Sequence, residues 1–178
     1  IVYHHYLWDV KQFGEEIAKK DKAIWLPELL MEFKYRFQSL KFNYNLESSL
    51  NGASSYANRY RLIGFNQLYK GNEGIENSLH HNLKLDYSNV NRAYQTMLNA
   101  SVSYTRKEKT IKSITAIEGV EQVSSLIYSN LPETNFNTFF RVSKNWNKSS
   151  LGVSAQKGWS DFNQWINNTF LDYKSSYF

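Results

Sequence analysis

The most informative absences in this 178-residue sequence are of cysteine and of long hydrophobic runs. Because there is no cysteine, neither a disulfide framework nor a thiolate metal site is available. No segment approaches the roughly 18 consecutive apolar residues of a membrane-spanning helix, so insertion into a membrane through helices is excluded. Insertion as a β-barrel is compatible with the sequence, because lipid-facing and lumen-facing residues alternate along a strand and cancel in a hydropathy average.

The sequence also lacks a block of basic residues, although its formal net charge is +5 and its pI is about 9.2. A basic balance favours an anionic partner such as nucleic acid or lipid phosphate. The Lys and Arg residues are scattered, which argues against nucleic acid. The chain begins at Ile1 and shows no charged segment followed by an apolar core. No signal peptide is therefore visible, as is typical of a mature or cut fragment.

Aromatic residues make up 16% of the chain, and apolar residues recur at every second position between Leu29 and Leu46. Such a period of two predicts β-strands. With a two-residue turn at Gln38-Ser39, one face of the resulting hairpin is apolar and the other is polar. The pairs predicted across the hairpin are Phe37 with Leu40, Tyr35 with Phe42, Phe33 with Tyr44, and Met31 with Leu46.

The same period recurs along most of the chain and predicts an all-β, antiparallel fold of about nine strands. Loops are predicted over 9–22, with a helical turn at 15–20, and over 48–78 and 158–164. Strands are predicted over 1–8, 29–37, 40–46, 79–87, 94–104, 136–142, 151–155 and 165–178. The strand over 94–104 is predicted to continue as a hairpin arm over 106–117, which turns at Glu118-Gly119 and returns over 120–128.

Two regularities emerge from these predictions. Short connections at 38–39, 88–92 and 146–149 alternate with long ones at 9–22, 48–78 and 106–128. Aromatic residues crowd the strand ends beside the short turns, namely Tyr35, Phe37, Phe42, Tyr44, Tyr87, Tyr94 and Trp146. An outer-membrane barrel has short turns at one end, long loops at the other, and aromatic belts around an apolar band about 25 Å tall. A soluble antiparallel sheet also shows this alternation and stays open as an alternative.

Residues 24–50, 56–88 and 98–113 carry these patterns in the order of strand hairpin, long segment and second hairpin. In this they resemble the barrel of TonB-dependent outer-membrane receptors, in the branch with an N-terminal carboxypeptidase-regulatory-like domain. That family has a Gly-Asn-Pro-x-Leu-x-Pro-Glu-like motif between its hairpins. Gly71, Asn72, Ile75 and Glu76 match it, whereas Glu73 replaces the first proline and no second proline is present.

The resemblance implies a 22-stranded barrel in the cell outer membrane, with a plug domain inside and an energy-coupling box near the N terminus. Residues 1–178 then form a partial transmembrane β-barrel domain without a plug. The implied partners are outer-membrane lipid and lipopolysaccharide, the remaining barrel strands and plug from the rest of the chain or another chain, and TonB and a surface lipoprotein. No nucleic acid, cofactor or enzymatic activity is implied.

Two groups of residues are assigned roles on this interpretation. The basic and aromatic residues of the 48–78 loop are expected to contact a ligand or partner, namely Arg59, Tyr60, Arg61, Tyr69 and Lys70. The apolar face of the strands is expected to contact lipid, through Leu29, Met31, Phe33, Tyr35, Phe37, Leu40, Phe42, Tyr44, Leu46, Leu83, Leu85, Tyr87, Tyr94, Leu98, Val102 and Tyr104.

Other candidates for chemistry have simpler explanations. Neighbouring strand residues point to opposite faces, so only one residue each of His4-His5 and of His80-His81 is available to any one metal site. The acids Glu15-Glu16 and Glu118 with Glu121 are interpreted as loop acids, because no nucleophile or apolar pocket accompanies them. Residues 71–74 lack the Lys-Ser/Thr of a phosphate-binding loop and are interpreted as a turn.

Three functions remain open from the sequence. The first is a section of a TonB-dependent receptor barrel for nutrient uptake. The second is a non-transporting barrel that serves as a scaffold or accessory subunit of a larger outer-membrane complex. The third is a soluble carbohydrate-binding β-sandwich.

Overall fold

The computed structural model describes the backbone of residues 2–12, 15–49, 52–72, 74, 77–167 and 169–178, and their side chains except those of 2–22, 53 and 118. These residues form thirteen β-strands and one 3-10 turn at Ala53–Ser55, with no α-helix among them. The protein is therefore all-β, with strands over 79% of the chain. The strand count exceeds the nine expected, because several predicted loops are strands.

The first two strands, β1 (Val2–Gln12) and β2 (Glu15–Leu26), form a separate antiparallel hairpin. The expectation of a loop with a helical turn over 9–22 is wrong. The register sets Asp9 across from Lys19 and Lys11 across from Glu16. Opposite charges directly across two strands favour pairing, so a charged segment is compatible with a hairpin here.

The other eleven strands form one sheet, in which all strand pairs but two are antiparallel. Its strands are β3 (Glu28–Tyr35), β4 (Gln38–Ser49), β5 (Arg61–Gly64), β6 (Gln67–Lys70), β7 (Ser78–Asn91), β8 (Thr96–Glu108), β9 (Thr110–Glu118), β10 (Glu121–Ser129), β11 (Glu133–Trp146), β12 (Ser149–Ile166) and β13 (Thr169–Tyr177). The order is β3-β4-β7-β8-β11-β12-β9-β10-β6-β5, with β13 also paired to β12. The path is open and is not closed as a barrel.

The β3–β4 hairpin turns two residues earlier than predicted, at Arg36 and Phe37. All four predicted cross-strand pairs are therefore wrong. A shift of two residues keeps every side chain on its own face, so the apolar pattern does not distinguish the two registers. Arg36 has φ 51°, as a tight hairpin turn requires. The observed pairs are Phe33 with Leu40, Met31 with Phe42, Leu29 with Tyr44, and Tyr35 with Gln38.

Short connections gather at one end of the sheet, which we call the short-turn end. It consists of the turns at 36–37, 92–95 and 147–148. The predicted strand over 94–104 begins too early, since Tyr94 lies within the second turn and its backbone N–H donates to Asn91 Oδ1 at 3.2 Å. The chain between β4 and β7 and between β8 and β11 lies at the opposite, long-connection end. The predicted separation of short and long connections is thus observed from β3 to β12. The connection from Ile166 of β12 to Thr169 of β13 is an exception, because it is short although β12 ends there on the side opposite the short-turn end.

At the long-connection end, the predicted loop over 48–78 contains the β5–β6 hairpin and folds onto β9 and β10. Tyr56 is buried and packs against Ile111, Leu126 and Tyr128. Gly71 N–H donates to Ala57 O at 2.9 Å, and a Cβ on Gly71 would lie 2.5 Å from Ser55 O. Glycine is therefore required at this position, where two backbone segments meet.

The expected continuous arm from β8 into 106–117 is interrupted at Lys109, whose φ is 56°. β8 pairs with β7 and β11, whereas β9 pairs with β10 and with the end of β12. The buried Lys112 Nζ bonds to Glu133 Oε1 and to the Asn163 carbonyl oxygen. This ion pair fastens β9 to β11 and β12.

The prediction of a polar loop over 158–164 is wrong, because β12 continues through it to Ile166. Here β12 is paired on both sides, with β11 through Asp161 and with β13 from Gly158 onwards. Hydrogen bonds to two neighbouring strands satisfy the backbone N–H and C=O groups, whatever the side chains are. A Cβ on Gly158 would lie 2.4 Å from the Tyr177 ring, so this glycine lets β13 approach closely.

Candidate functional site

One face of the sheet, which we call the apolar face, is continuous across six strands. Register places Phe42, Leu85, Val102 and Thr138 in one row, and other rows repeat the arrangement. Side chains in register project on the same side of a sheet. The apolar face comprises Leu29, Met31, Phe33, Tyr35, Leu40, Phe42, Tyr44, Leu46, Leu83, Leu85, Tyr87, Leu98, Ala100, Val102, Tyr104, Phe136, Phe140, Val142, Val153, Ala155 and Trp159.

No described residue forms a second layer over the apolar face. Phe33 is 67% exposed and Val153 is 64% exposed, although both lie in regular strands. The two buried hydrophobic residues of the described side chains are Leu26 and Tyr56, and neither belongs to this face. An antiparallel sheet ordinarily buries one face in a core, so a face this wide and this apolar requires an apolar environment from outside the described residues.

The apolar face has a defined boundary toward the long-connection end. Its last full row contains four rings, those of Tyr44, Tyr104, Phe136 and Trp159. The next row contains Leu46 on β4 and is otherwise polar and charged, with His81, Arg106, Thr134, Asp161 and Lys174. A row of aromatic side chains followed directly by a row of charged ones is expected where a protein surface passes from an apolar medium into water.

The opposite boundary lies at Thr96 and Lys144, which are paired. Lys144 Nζ lies 5.6 Å from the centroid of the Trp146 ring. Within the band, Lys157 is also on the apolar face, and its Nζ lies 4.9 Å from the Trp159 centroid. Long cationic side chains lie along apolar surface while their charged heads reach its edge, so Lys157 is compatible with the band.

The strand residues predicted to contact lipid all lie on the apolar face. Phe37 and Tyr94 instead lie in turns of the short-turn end. The lipid-contact prediction omitted Ala100, Phe136, Phe140, Val142, Val153, Ala155 and Trp159, which complete the face. The alternation of 136–142 and 151–155 was the available signal for five of them. Trp159 was missed because its segment reads as a polar loop.

The other face, which we call the polar face, is rich in amides, hydroxyls and paired charges. Thr105 Oγ1 donates to Asn82 Oδ1 at 3.1 Å, and Asn137 Nδ2 donates to Asn135 Oδ1 at 2.9 Å. Charged residues pair along it, as Lys84 does with Asp86 at 3.0 Å. A cavity of about 480 Å³ opens near its long-connection end, lined by hydroxyl, amide and charged groups that include Thr105, Lys107, Glu133 and Asn135. This face suits contact with water and polar solutes.

The basic and aromatic residues predicted to contact a ligand are brought together by the β5–β6 hairpin. Arg61 pairs with Tyr69, and its Cζ lies 5.4 Å from the Tyr69 ring centroid. Lys70 Nζ lies 5.4 Å from the Tyr60 centroid. Phe65, at the tip, is 92% exposed. The hairpin therefore presents rings and cations outward from the long-connection end, where a partner has access to them.

The candidate metal and acid sites do not assemble in the described residues. His81 stacks on Tyr44, whose hydroxyl lies 3.0 Å from His81 Nδ1, whereas His80 faces the polar side in register with Lys107. The side chains of His4, His5, Glu15, Glu16 and Glu118 lie outside the described residues. Among the described ones, no three His, Asp or Glu residues are grouped as metal ligands.

The predicted turn at 71–74 is described only in part. Gly74 N–H donates to the Asn72 side-chain oxygen at 2.8 Å, as in a turn. Asn72 Nδ2 also donates to Leu126 O at 3.0 Å and so ties the turn to β10. Glu73, Ile75 and Glu76 of the family-like motif lie outside the described residues.

Comparisons with known proteins add no relative. In the described part of the chain, no helix is long and apolar enough to cross a membrane. No protein-family model matches the sequence, no curated protein matches it, and no solved structure matches its fold. The features of the chain that bear on its function are therefore the two faces and the two ends of the sheet.

Proposed function

We propose that this chain is a section of an outer-membrane β-barrel of the TonB-dependent receptor type, whose complete barrel takes up a nutrient. The apolar face contacts the hydrocarbon of the bilayer. The polar face lines the lumen, and the long connections face the outside of the cell.

The observation that carries this proposal is the uncovered apolar face with its two boundaries. Between Thr96 and Arg106 on β8, and between Thr134 and Lys144 on β11, the residues on this face are apolar except for Thr138. A tilted transmembrane strand needs about 9–11 residues, which both spans supply. A soluble β-sandwich would instead pack a second sheet on this face, and the described strands place none there.

The two ends of the sheet give independent support. Barrels of this kind have short turns at the periplasmic end and longer loops outside. The connections from β3 to β12 follow that division, and the short connection from β12 to β13 is the exception. The β5–β6 hairpin then projects its rings and cations from the outer side, where contact with a ligand, lipopolysaccharide or a surface lipoprotein takes place.

The proposal requires further strands. In the described residues β3 pairs with β4 alone, and β13 pairs with β12 alone, so each leaves an edge of unpaired backbone groups. Such edges do not persist in lipid. Another part of the chain, or another chain, closes the barrel and supplies the plug.

Two arginine substitutions at neighbouring depths test the bilayer contact. In Leu85→Arg the new charge faces the proposed hydrocarbon, whereas in Ser101→Arg it faces the proposed lumen. The free energy of folding into phosphatidylcholine vesicles is measured by urea titration. We expect Leu85→Arg to cost about 2–4 kcal/mol, and Ser101→Arg to stay within about 0.5 kcal/mol of the parent.

Equal costs for the two variants, or a parent protein that is monomeric and soluble without detergent, would contradict the bilayer assignment. The choice between uptake and a scaffold role depends on the remaining barrel. An open reading frame that encodes a plug domain and a coupling box with residues 1–178, or a plug-bearing chain that copurifies with them, supports uptake. Absence of both supports the scaffold.

A further inference from the structure

At each of the three turns of the short-turn end, a basic residue of the turn lies close in sequence to an aromatic one. The first turn is Arg36-Phe37, the second contains Arg92 and Tyr94, and the third contains Lys148, two residues after Trp146 at the end of β11. None of the three turns contains Asp or Glu. Because basic and aromatic side chains occur together at three separate turns, we interpret the three turns as one surface that makes one kind of contact.

The three turns are held side by side along one edge. Val90 N–H donates to Phe37 O at 2.9 Å and links the first turn to the end of β7, which leads into the second turn. Asn145 N–H donates to Gln95 O at 2.9 Å and links the second turn to the third. The rings are presented outward, and Tyr94 is 73% exposed. The arrangement is therefore a continuous rim rather than three unrelated loops.

The cations of this rim are available for an external anion. Glu32, a carboxylate of β3 on the polar face, is already engaged, since it pairs with Lys34 at 3.1 Å and with Lys41 at 3.2 Å. In the described part of the chain, no ion pair involves Arg36, Arg92 or Lys148. Arg36 Cζ lies 5.2 Å from the Tyr35 centroid, so a ring holds the guanidinium in place without neutralising it.

A groove of about 500 Å³ lies beside the first two turns and is lined by Lys34, Arg36, Ser39, Ser88 and Arg92, together with Phe37, Gln38 and Val90. Lys34, Ser39 and Ser88 are in register on the polar face, so the groove belongs to that face, and Lys34 is already paired with Glu32. The cations that remain for a phosphate at the rim are the guanidinium groups of Arg36 and Arg92, which bind phosphate oxygens in a bidentate manner, and the ammonium group of Lys148.

We propose that the short-turn end binds the headgroup phosphates of anionic phospholipids in the leaflet that it faces. The inference rests on the proposed function, because it assumes that the rings of this rim lie at a membrane surface. Aromatic residues are favoured at the level of the headgroups, and basic residues beside them attract anionic lipid. Anionic lipid would thereby fix the depth and orientation of this end.

The test compares two triple variants of the full protein that lower the formal net charge of +5 by the same three units. The rim variant is Arg36→Gln, Arg92→Gln and Lys148→Gln. The matched control is Lys41→Gln, Lys84→Gln and Arg141→Gln, which alters exposed cations in the middle of the polar face. Partitioning is measured into vesicles of phosphatidylcholine alone and into vesicles that also contain phosphatidylglycerol.

We expect the parent protein to prefer vesicles that contain phosphatidylglycerol. The rim variant should lose about fivefold of this preference per cation, or roughly 100-fold for three, while the control keeps most of it. High salt should reduce the preference of the parent and the control. Equal losses in the two variants would overturn the proposal, because they would indicate a general effect of net charge.

The two proposals fail in distinguishable ways. If the parent and both variants insert equally well into phosphatidylcholine but show no preference for phosphatidylglycerol, the headgroup site is wrong and the bilayer contact stands. If the parent does not insert into either vesicle, the bilayer contact is wrong. Inorganic phosphate is titrated into the detergent-solubilised protein as a further arm. Binding of it as tight as that of phosphatidylglycerol vesicles would replace the lipid with a soluble phosphate.

Discussion

The two ends of the sheet are built on different principles. At the short-turn end the chain reverses within the turns at 36–37, 92–95 and 147–148, and the strands on either side pair almost to their last residue. At the long-connection end the chain leaves the meander, forms the β5–β6 and β9–β10 hairpins, and packs them on each other. The first end depends on backbone conformation, and the second depends on specific tertiary contacts.

This difference has a consequence for tolerance to mutation. A turn of a few residues loses little when one exposed side chain changes, because its hydrogen bonds are between backbone groups. A packed connection contains buried charge, buried rings and close backbone approaches, each of which is disrupted by a single substitution. Sensitivity should therefore be concentrated at the long-connection end.

The largest effect is expected at Lys112, which is buried and bonded to Glu133 and the Asn163 carbonyl. Lys112→Met keeps the apolar stem but leaves a carboxylate and a carbonyl without their partner. Loss of one member of a buried ion pair costs about 3–5 kcal/mol. Unfolding of the protein by urea in uncharged detergent measures this cost.

The control for this prediction replaces both partners, in Lys112→Met with Glu133→Leu. An apolar pair of similar volume is often neutral, so the double variant should recover most of the loss. If the single variant lost less than about 1 kcal/mol, the ion pair would not fasten β9 to the rest of the sheet.

A medium effect is expected at Gly71, where a Cβ would lie 2.5 Å from Ser55 O and 2.8 Å from Ala57 O. Gly71→Ala should cost about 1–3 kcal/mol, because the backbone must move to admit the methyl group. The same substitution at Gly152 is the control, since its nearest neighbour there would be Ser143 Cβ at 3.6 Å. Limited proteolysis within 52–72 reports local loosening, and equal cleavage of both variants would contradict the prediction.

The smallest effect, and a gain, is expected at the short-turn end. Arg36 has φ 51°, which costs an L-residue about 1–2 kcal/mol. Arg36→Gly removes that strain but adds freedom to the unfolded chain, which offsets part of the gain. We expect stabilisation of about 0.5 kcal/mol in uncharged detergent. Gln38→Gly, in the neighbouring strand, should destabilise by a similar amount, and a loss in both variants would refute the turn argument.

The apolar face is the part of the structure that sequence predicts best. Leu29 to Leu46 alternates so regularly that each side chain of the two strands is assigned to the correct face even though the register is two residues out. Alternation fixes the face but leaves registers that differ by two residues equivalent. The choice between them comes from the turn geometry at Arg36 and from pairing with β7, which are tertiary and conformational facts.

The long-connection end is where sequence reasoning fails most. The segments 9–22 and 158–164 read as polar loops because their side chains are charged or small. The described residues of both segments are strands, because pairing with a neighbouring strand satisfies the backbone independently of hydropathy. Nothing in local sequence indicates that β9 leaves β8 at Lys109, or that Lys112 meets Glu133 and Asn163. The grouping of Arg61 with Tyr69 and of Lys70 with Tyr60, by contrast, follows from a simple hairpin.

The parallel pairing of β6 with β10 bears on how the protein folds. Gln67 pairs with Gln122 and Lys70 with Ser125, so these contacts join residues that are distant in sequence. Closing such a loop costs chain entropy before any contact compensates for it, and contacts of this kind form slowly. The β9–β10 hairpin joins near neighbours and is expected to form first, as a template on which β6 docks. The protection of backbone amides against hydrogen exchange during refolding should therefore appear in 110–129 before it appears in 61–70.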